Sequence, residues 1–220
     1  MSGRPRIGLI HATALAMAPI AESFARLWPE AMLHHVLDES LTADLAAAGG
    51  RIEAMTPRVA SLARYVVDAG AGGVLFTCSA FGPAIEVARE QFRVPVLKPN
   101  EAMIDEALAL GDRICLVATF EPALAPIEQE FHERAHQLKR AIVVDRCFVP
   151  GAIDALRRGD EALHDRLVAE ACSKQRGGDV LCFAQFSMTS ARTEVEKRVA
   201  KPVLTTPDSA VQKLKSRLAA

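Results

Sequence analysis

The second half of the sequence repeats the first at an offset of 107 residues. Arg6, Ile7 and Leu9 recur as Arg113, Ile114 and Leu116. Ala18, Pro19 and Ile20 recur as Ala125, Pro126 and Ile127, and Phe24 recurs as Phe131. Val36 and Asp38 match Val143 and Asp145, Phe76 matches Phe183, and Pro95-Val96-Leu97 matches Pro202-Val203-Leu204. These matches share one register and need no insertion or deletion. A common apolar pattern would not reproduce the prolines. One unit written twice is predicted to fold as two similar lobes. The expected divisions are residues 1–100 for the first lobe and 101–206 for the second, with a last helix over 207–220 packing across onto the first.

Each copy alternates short apolar runs with helix-period segments. The predicted strands of the first copy are Arg6 to His11, Leu33 to Leu37, Gly73 to Thr77 and Val94 to Leu97. Those of the second are Arg113 to Ala118, Ala141 to Asp145, Asp179 to Ala184 and Pro202 to Leu204. Runs this short and this rich in Val, Ile and Leu suit buried parallel strands. Ile52, Met55, Val59, Leu62 and Val66 recur at spacings of three and four and mark one buried helical face. Further helices fit Pro19 to Trp28, Pro83 to Phe92, Glu101 to Leu110, Pro126 to His136, Glu161 to Cys172 and Ser209 to Leu218. Strands alternating with helices predict an α/β fold, with parallel sheets flanked by helices. Ligands of such sheets bind beyond the carboxyl ends of the strands. A cleft between the lobes would then set His11 to Thr13 against Ala118 to Phe120, and Cys78 to Ala80 against Gln185 to Ser187.

Composition excludes several classes. The formal net charge of −1 gives no basic surface for nucleic acid or an anionic membrane. No apolar run approaches the length of a membrane span, and the start of the chain carries no apolar signal core, so a cytoplasmic location is expected. The cysteines are Cys78, Cys115, Cys147, Cys172 and Cys182, an odd number with no C-x-x-C pair. Neither a disulfide framework nor a structural zinc site follows from them. His132 and His136 have i, i+4 spacing without an acidic third ligand and are read with His164 as outward helix residues, so no metal site is expected. No glycine-rich phosphate loop is present. A second copy of the chain remains a candidate partner, through an exposed Trp28 or a lobe face.

One segment carries chemistry. Thr77-Cys78-Ser79-Ala80-Phe81-Gly82 follows an apolar strand and precedes a helix. Backbone N–H groups there would stabilise a thiolate or a bound carboxylate, and a lowered thiol pKa is expected. The alternative is a small buried thiol ending a strand.

An apolar strand ending in Cys-Ser, in a chain duplicated across two lobes, resembles the aspartate/glutamate/hydantoin racemase superfamily. Maleate isomerases and arylmalonate decarboxylases belong to that group. Further matching segments are Arg113-Ile-Cys-Leu-Val-Ala-Thr-Phe120, Val94-Pro-Val-Leu-Lys98 and Asp179-Val-Leu-Cys-Phe-Ala184. The resemblance covers essentially the whole chain and implies two Rossmann-like lobes. It also implies cofactor-free proton transfer at a carbon beside a carboxylate. Family racemases use two cysteines, one per lobe, on opposite faces of the substrate. Cys78 matches the first. The repeat puts the second at position 185, which is Gln185. An amide does not titrate in the usable range, so a cysteine pair is absent here.

Three activities fit a single thiol: exchange or racemisation with a non-cysteine base, for which His11 is the nearby candidate; isomerisation; and decarboxylation with protonation from Cys78. A ligand-binding homologue without catalysis is the remaining alternative, with a thiol of ordinary reactivity. Under all of them the partner is a small carboxylate. Thr13, Ser79, Thr119 and Ser187 are candidate donors to it, with Ala80, Phe120, Gln185 and Phe186 lining the same loops. Phe120 replaces a tyrosine that the resemblance implies in related decarboxylases. Lys98 and Asn100 follow the fourth strand and are weaker candidates. The paired Asp38 and Asp145 are expected to cap strand ends.

Overall fold

The computed structural model describes residues 4–219. They divide into two compact units, residues 4–99 with 210–219, and residues 100–209.

The first unit runs β1 (Arg6–His11), α1 (Met17–Leu27), β2 (Met32–Leu37), α2 (Leu41–Ala47), α3 (Thr56–Asp68), β3 (Gly73–Phe76), α4 (Gly82–Arg89) and β4 (Val96–Leu97). Its sheet has the order β2-β1-β3-β4, and every pairing is parallel. The central strands β1 and β3 are buried almost throughout, as their unbroken apolar runs require. Helix α3 begins at Thr56-Pro57, where a proline loses no helical hydrogen bond, and buries Val59, Ala63 and Val66. Gly8 lets this helix approach the sheet. A Cβ there would sit 2.6 Å from Val66 Cγ2 and 2.7 Å from Val66 Cβ. Gly8→Ala is therefore expected to cost roughly 2 kcal/mol by overpacking, read as a lower urea midpoint at unchanged slope.

The second unit runs α5 (Glu101–Leu110), β5 (Arg113–Ala118), α6 (Leu124–Gln137), β6 (Val143–Phe148), α7 (Ala152–Arg157), α8 (Glu161–Ser173), β7 (Val180–Phe183), α9 (Arg192–Glu196) and β8 (Val203–Thr205). Its sheet order, β6-β5-β7-β8, copies the first, again all parallel. One apolar cluster, around Ile127, Phe131 and Cys182, covers one face of this sheet; another, around Cys172, Phe183 and Val195, covers the other. The chain ends in α10 (Thr206–Ala219). Leu214 and Leu218 of this helix lie beside Gly73, and Lys215 Nζ donates to Leu27 O at 2.9 Å. Both units are thus Rossmann-like α/β layers.

The repeat holds at 107 for three of the four strand pairs and fails for one. Arg6 pairs with Met32, whereas Arg113 pairs with Val143, so β2 and β6 are offset by 111. Helix α6 has 14 residues where α1 has 11, which pushes β6 along. The apparent match of Asp38 with Asp145 is therefore fortuitous. Asp38 follows β2 and caps the next turn, accepting from Ser40 N at 3.2 Å and from Arg58 Nε at 2.8 Å. Asp145 is the third residue of β6 and lies 3.8 Å from Arg113.

Two further expectations are corrected. Trp28 is buried, with its ring 6.0 Å from that of Phe24, and offers no exposed face. His164 points inward from α8, fully buried, because Asp165 lies at 2.8 Å to receive its Nδ1. Among the described residues no helix is long and apolar enough to cross a membrane.

Candidate active site

Four of the five cysteines are buried free thiols, and only Cys78 reaches the surface. It lies two residues beyond β3. Its backbone is still extended, and it opens the short 3-10 turn Ser79–Phe81 that leads into α4. Pro83 sits in the first turn of that helix, where its missing N–H leaves no gap. Ser79 is half-buried and Ala80 exposed. Burial pushes the Cys78 thiol up from its ordinary value, and a hydrogen bond from the Ala80 N–H pulls it partly back. The lowered pKa expected of a strand-to-helix loop is thus reversed. One N–H of a three-residue turn does not offset the lost solvation of a thiolate.

Thr77, beside Cys78 in sequence, begins a part-buried polar chain centred on His11. Thr77 Oγ1 lies 2.9 Å from His11 Nδ1, and His11 Nε2 lies 3.0 Å from His35 Nδ1. The Thr77 hydroxyl also reaches Ile10 O at 3.4 Å. A consistent assignment has Thr77 donating to Ile10, His11 Nδ1–H donating to Thr77, and His35 Nδ1–H donating to His11. His11 is fully buried. Burial first, and the neighbouring His35 second, push its pKa down to about 4. Both ring nitrogens are occupied, so His11 steadies the strand end beneath Cys78 and presents neither nitrogen to a ligand. In the second unit the 107 offset puts Ala118 at the place of His11 and Ala184 at that of Thr77. Among the described residues the His11–Thr77 contact is therefore not repeated in the second unit.

This burial has a pH consequence. Between pH 6.5 and about 4 the unfolded chain binds a proton on residue 11 that the folded chain refuses. The stability contributed by neutral His11 is present above pH 6.5 and lost as pH falls through that window. The loss should be on the order of 2 kcal/mol, allowing for water around the half-buried His35. His35 is lowered by the same burial and adds in the same direction. Urea unfolding at pH 7.5 and at pH 5 should show this slope, and His11→Asn should flatten it.

In the second unit Gln185 occupies the place of Cys78. It follows β7 in extended conformation and opens the 3-10 turn Phe186–Ala191. Its Oε1 accepts three hydrogen bonds, from Thr119 N at 2.8 Å, Thr119 Oγ1 at 3.1 Å and Phe120 N at 3.1 Å. Thr119 is buried, and Phe120 is 47% exposed. Phe186 is buried and Ser187 half-buried. The Thr119 hydroxyl, expected to bind a ligand, is instead engaged by Gln185. Sequence reasoning also missed the anchor of this turn: Ser190 Oγ donates to Asp165 Oδ1 at 2.7 Å, the atom that holds His164. Ser190 and Asp165 lie on separate elements, and nothing in their local sequence pairs them.

The remaining candidates are more peripheral. Thr13 is exposed, and its Oγ1 caps the following turn by accepting from Leu15 N at 3.4 Å. Lys98 is ion-paired with Glu86 at 2.5 Å. Asn100 is buried and donates to Glu130 at 3.4 Å. Among the described residues no group of three His, Cys, Asp or Glu side chains could hold a metal ion.

The family model of the Asp/Glu/hydantoin racemases matches residues 7–214. The chain belongs to the Asp/Glu/hydantoin racemase family. Solved structures of this fold include a glutamate racemase from Bacillus anthracis, 15% identical, with a TM-score of 0.72 over 99% of this chain and 82% of that one. An allantoin racemase from Klebsiella pneumoniae is 18% identical, with a TM-score of 0.71 over 98% of this chain and 88% of that one. An unliganded arylmalonate decarboxylase is 19% identical, with a TM-score of 0.65 over 98% and 93%. No curated protein sequence matches the chain. At such identities the structural likeness establishes the fold. Within the Asp/Glu/hydantoin racemase family, activity has to be argued from the residues at the strand ends.

Proposed function

We propose that this protein moves a proton at the α-carbon of a small carboxylate, without a cofactor, using Cys78 as its single acid/base. The observation that carries the reading is the asymmetry of equivalent loops. Cys78 is the one thiol at the surface and adjoins Thr77 of a part-buried polar chain, whereas Gln185 has no titratable proton to trade. Donors to the carboxylate would come from the Thr13 and Ser79 hydroxyls and the backbone at Ala80. Holding the charge of an enediolate is where such donors contribute most to rate. The chain would act in the cytoplasm on a diffusible acid.

The raised pKa of Cys78 favours one version of this chemistry. At neutral pH the thiol keeps its proton and is ready to give it rather than take one. In a decarboxylation, the C–C bond to the departing carboxylate breaks and CO2 leaves. The electron pair stays on the α-carbon as an enediolate. The Cys78 S–H proton then goes to that carbon, and the thiolate recovers a proton from water.

Incubation in D2O with amino acids, hydantoins, maleate and arylmalonates, followed by NMR at the α-position, tests the reading. Exchange without inversion, or CO2 release with one deuterium incorporated, is expected for some member of the panel. Silence across all four classes would count against it.

A further inference from the structure

We infer that Gln185 is a specificity-determining residue: its amide, locked with the oxygen inward, offers its N–H groups to an oxygen acceptor beside the α-carbon of the substrate, and so selects acids bearing hydroxyl, carbonyl or carboxyl groups over amino acids. The inference rests on the proton-transfer reading, which makes position 185 the counterpart of Cys78.

The orientation of the amide follows from its partners. The Thr119 and Phe120 backbone groups that face it are N–H donors, so the atom 2.8 Å and 3.1 Å from them is an acceptor. The Thr119 hydroxyl donates to the same oxygen. Turning the amide over would set its NH2 against two N–H groups. Nε2 is therefore the outward end, and it donates to no described residue. Gln185 is only half-buried, which leaves that end open.

An NH2 group fixed this way discriminates by hydrogen-bond polarity. A hydroxyl, carbonyl or carboxylate oxygen has lone pairs to accept its protons. An α-ammonium group carries donors only and would meet it donor against donor. Selection of this kind works by leaving the wrong ligand's polar groups unpaired. Glutamate is isosteric with glutamine and inverts the polarity of the outward end alone. One carboxylate oxygen would keep the three donors, which hold the group ionised, and the other would accept from an ammonium.

Calorimetric titration of the full chain with both enantiomers of malate and of aspartate tests this, because each pair differs by a hydroxyl against an ammonium. The wild type should bind malate roughly tenfold or more tightly than aspartate. Gln185→Glu should reverse that preference by a similar factor, and Gln185→Leu should bring the ratio close to one. The Leu variant carries the test should the Glu variant fail to fold. Equal ratios in the wild type and both variants overturn the inference, and so does a wild type that binds no malate. A protein that shows the predicted ratios yet exchanges no α-proton would sink the proton-transfer reading alone.

Discussion

Replacing Cys78 with alanine is expected to lower the rate of α-proton exchange or decarboxylation about a thousandfold, the scale of a positioned general acid/base. The fold should survive. Cys78 is half-buried at a strand end, and alanine fills the same extended backbone without strain. The polar chain through Thr77, His11 and His35 does not include the thiol and should stay intact. An unchanged urea midpoint beside a collapsed rate would locate the loss in chemistry. The pH profile of the wild type then separates the two versions of the reaction. Abstraction by a thiolate should speed up as pH climbs toward the raised thiol pKa. Protonation by the thiol should hold steady and fall only above it. The other cysteines cannot substitute. Burial pushes Cys115 and Cys172 up to about 12, and it raises Cys147 and Cys182 from their ordinary value too. A Cys78→Ala variant with wild-type rate would refute the role assigned to the thiol.

Much of this arrangement was legible in the sequence, for a physical reason. Parallel strands buried on both faces write themselves as continuous apolar runs, which is how the central β1, β3, β5 and β7 read. The edge strands β2 and β6, partly exposed and carrying His or charged residues, still lie within a few residues of their expected places. The loop at Cys78 was legible because a strand, a small polar turn and a helix start leave distinct marks. Strand β6 was placed early because Val143 and Asp145 copy Val36 and Asp38 by chance, while the longer α6 shifts the true register. The short helices α2, α7 and α9 were missed, each having too few turns to show a period. His164 resembled an outward helix residue because its partner, Asp165, is beside it in sequence, and periodicity does not show which way such a pair turns. The raised thiol pKa is not legible in the sequence, because the loop marks a dipole while burial leaves no local mark. The anchoring of Gln185 was invisible because its partners are mostly backbone N–H groups, which every residue but proline possesses.

That anchoring sets the second large effect. Gln185→Cys places a titratable proton at the position the repeat makes equivalent to Cys78. It also removes the oxygen that satisfies Thr119 N, Thr119 Oγ1 and Phe120 N. The shorter side chain does not reach those donors as the amide does, so the variant should lose about 1–3 kcal/mol of stability. The same unpaired donors then favour an anion, whether substrate carboxylate or thiolate, and a thiolate they reach has its pKa drawn down. With two acid/base groups, a proton removed by one cysteine can be replaced by the other. Exchange in D2O should therefore come with inversion, where the wild type exchanges without it. An inversion rate at least roughly tenfold above the wild-type background is the expected size, the low end of what one added acid/base supplies. Chiral chromatography beside the NMR assay reads both quantities from one sample. Cys78→Ala in the Gln185→Cys background should abolish the inversion. A folded Gln185→Cys protein that exchanges the α-proton and never inverts would show that position 185 does not address the reacting carbon. The equivalence drawn from the repeat would then hold for the scaffold and not for the chemistry.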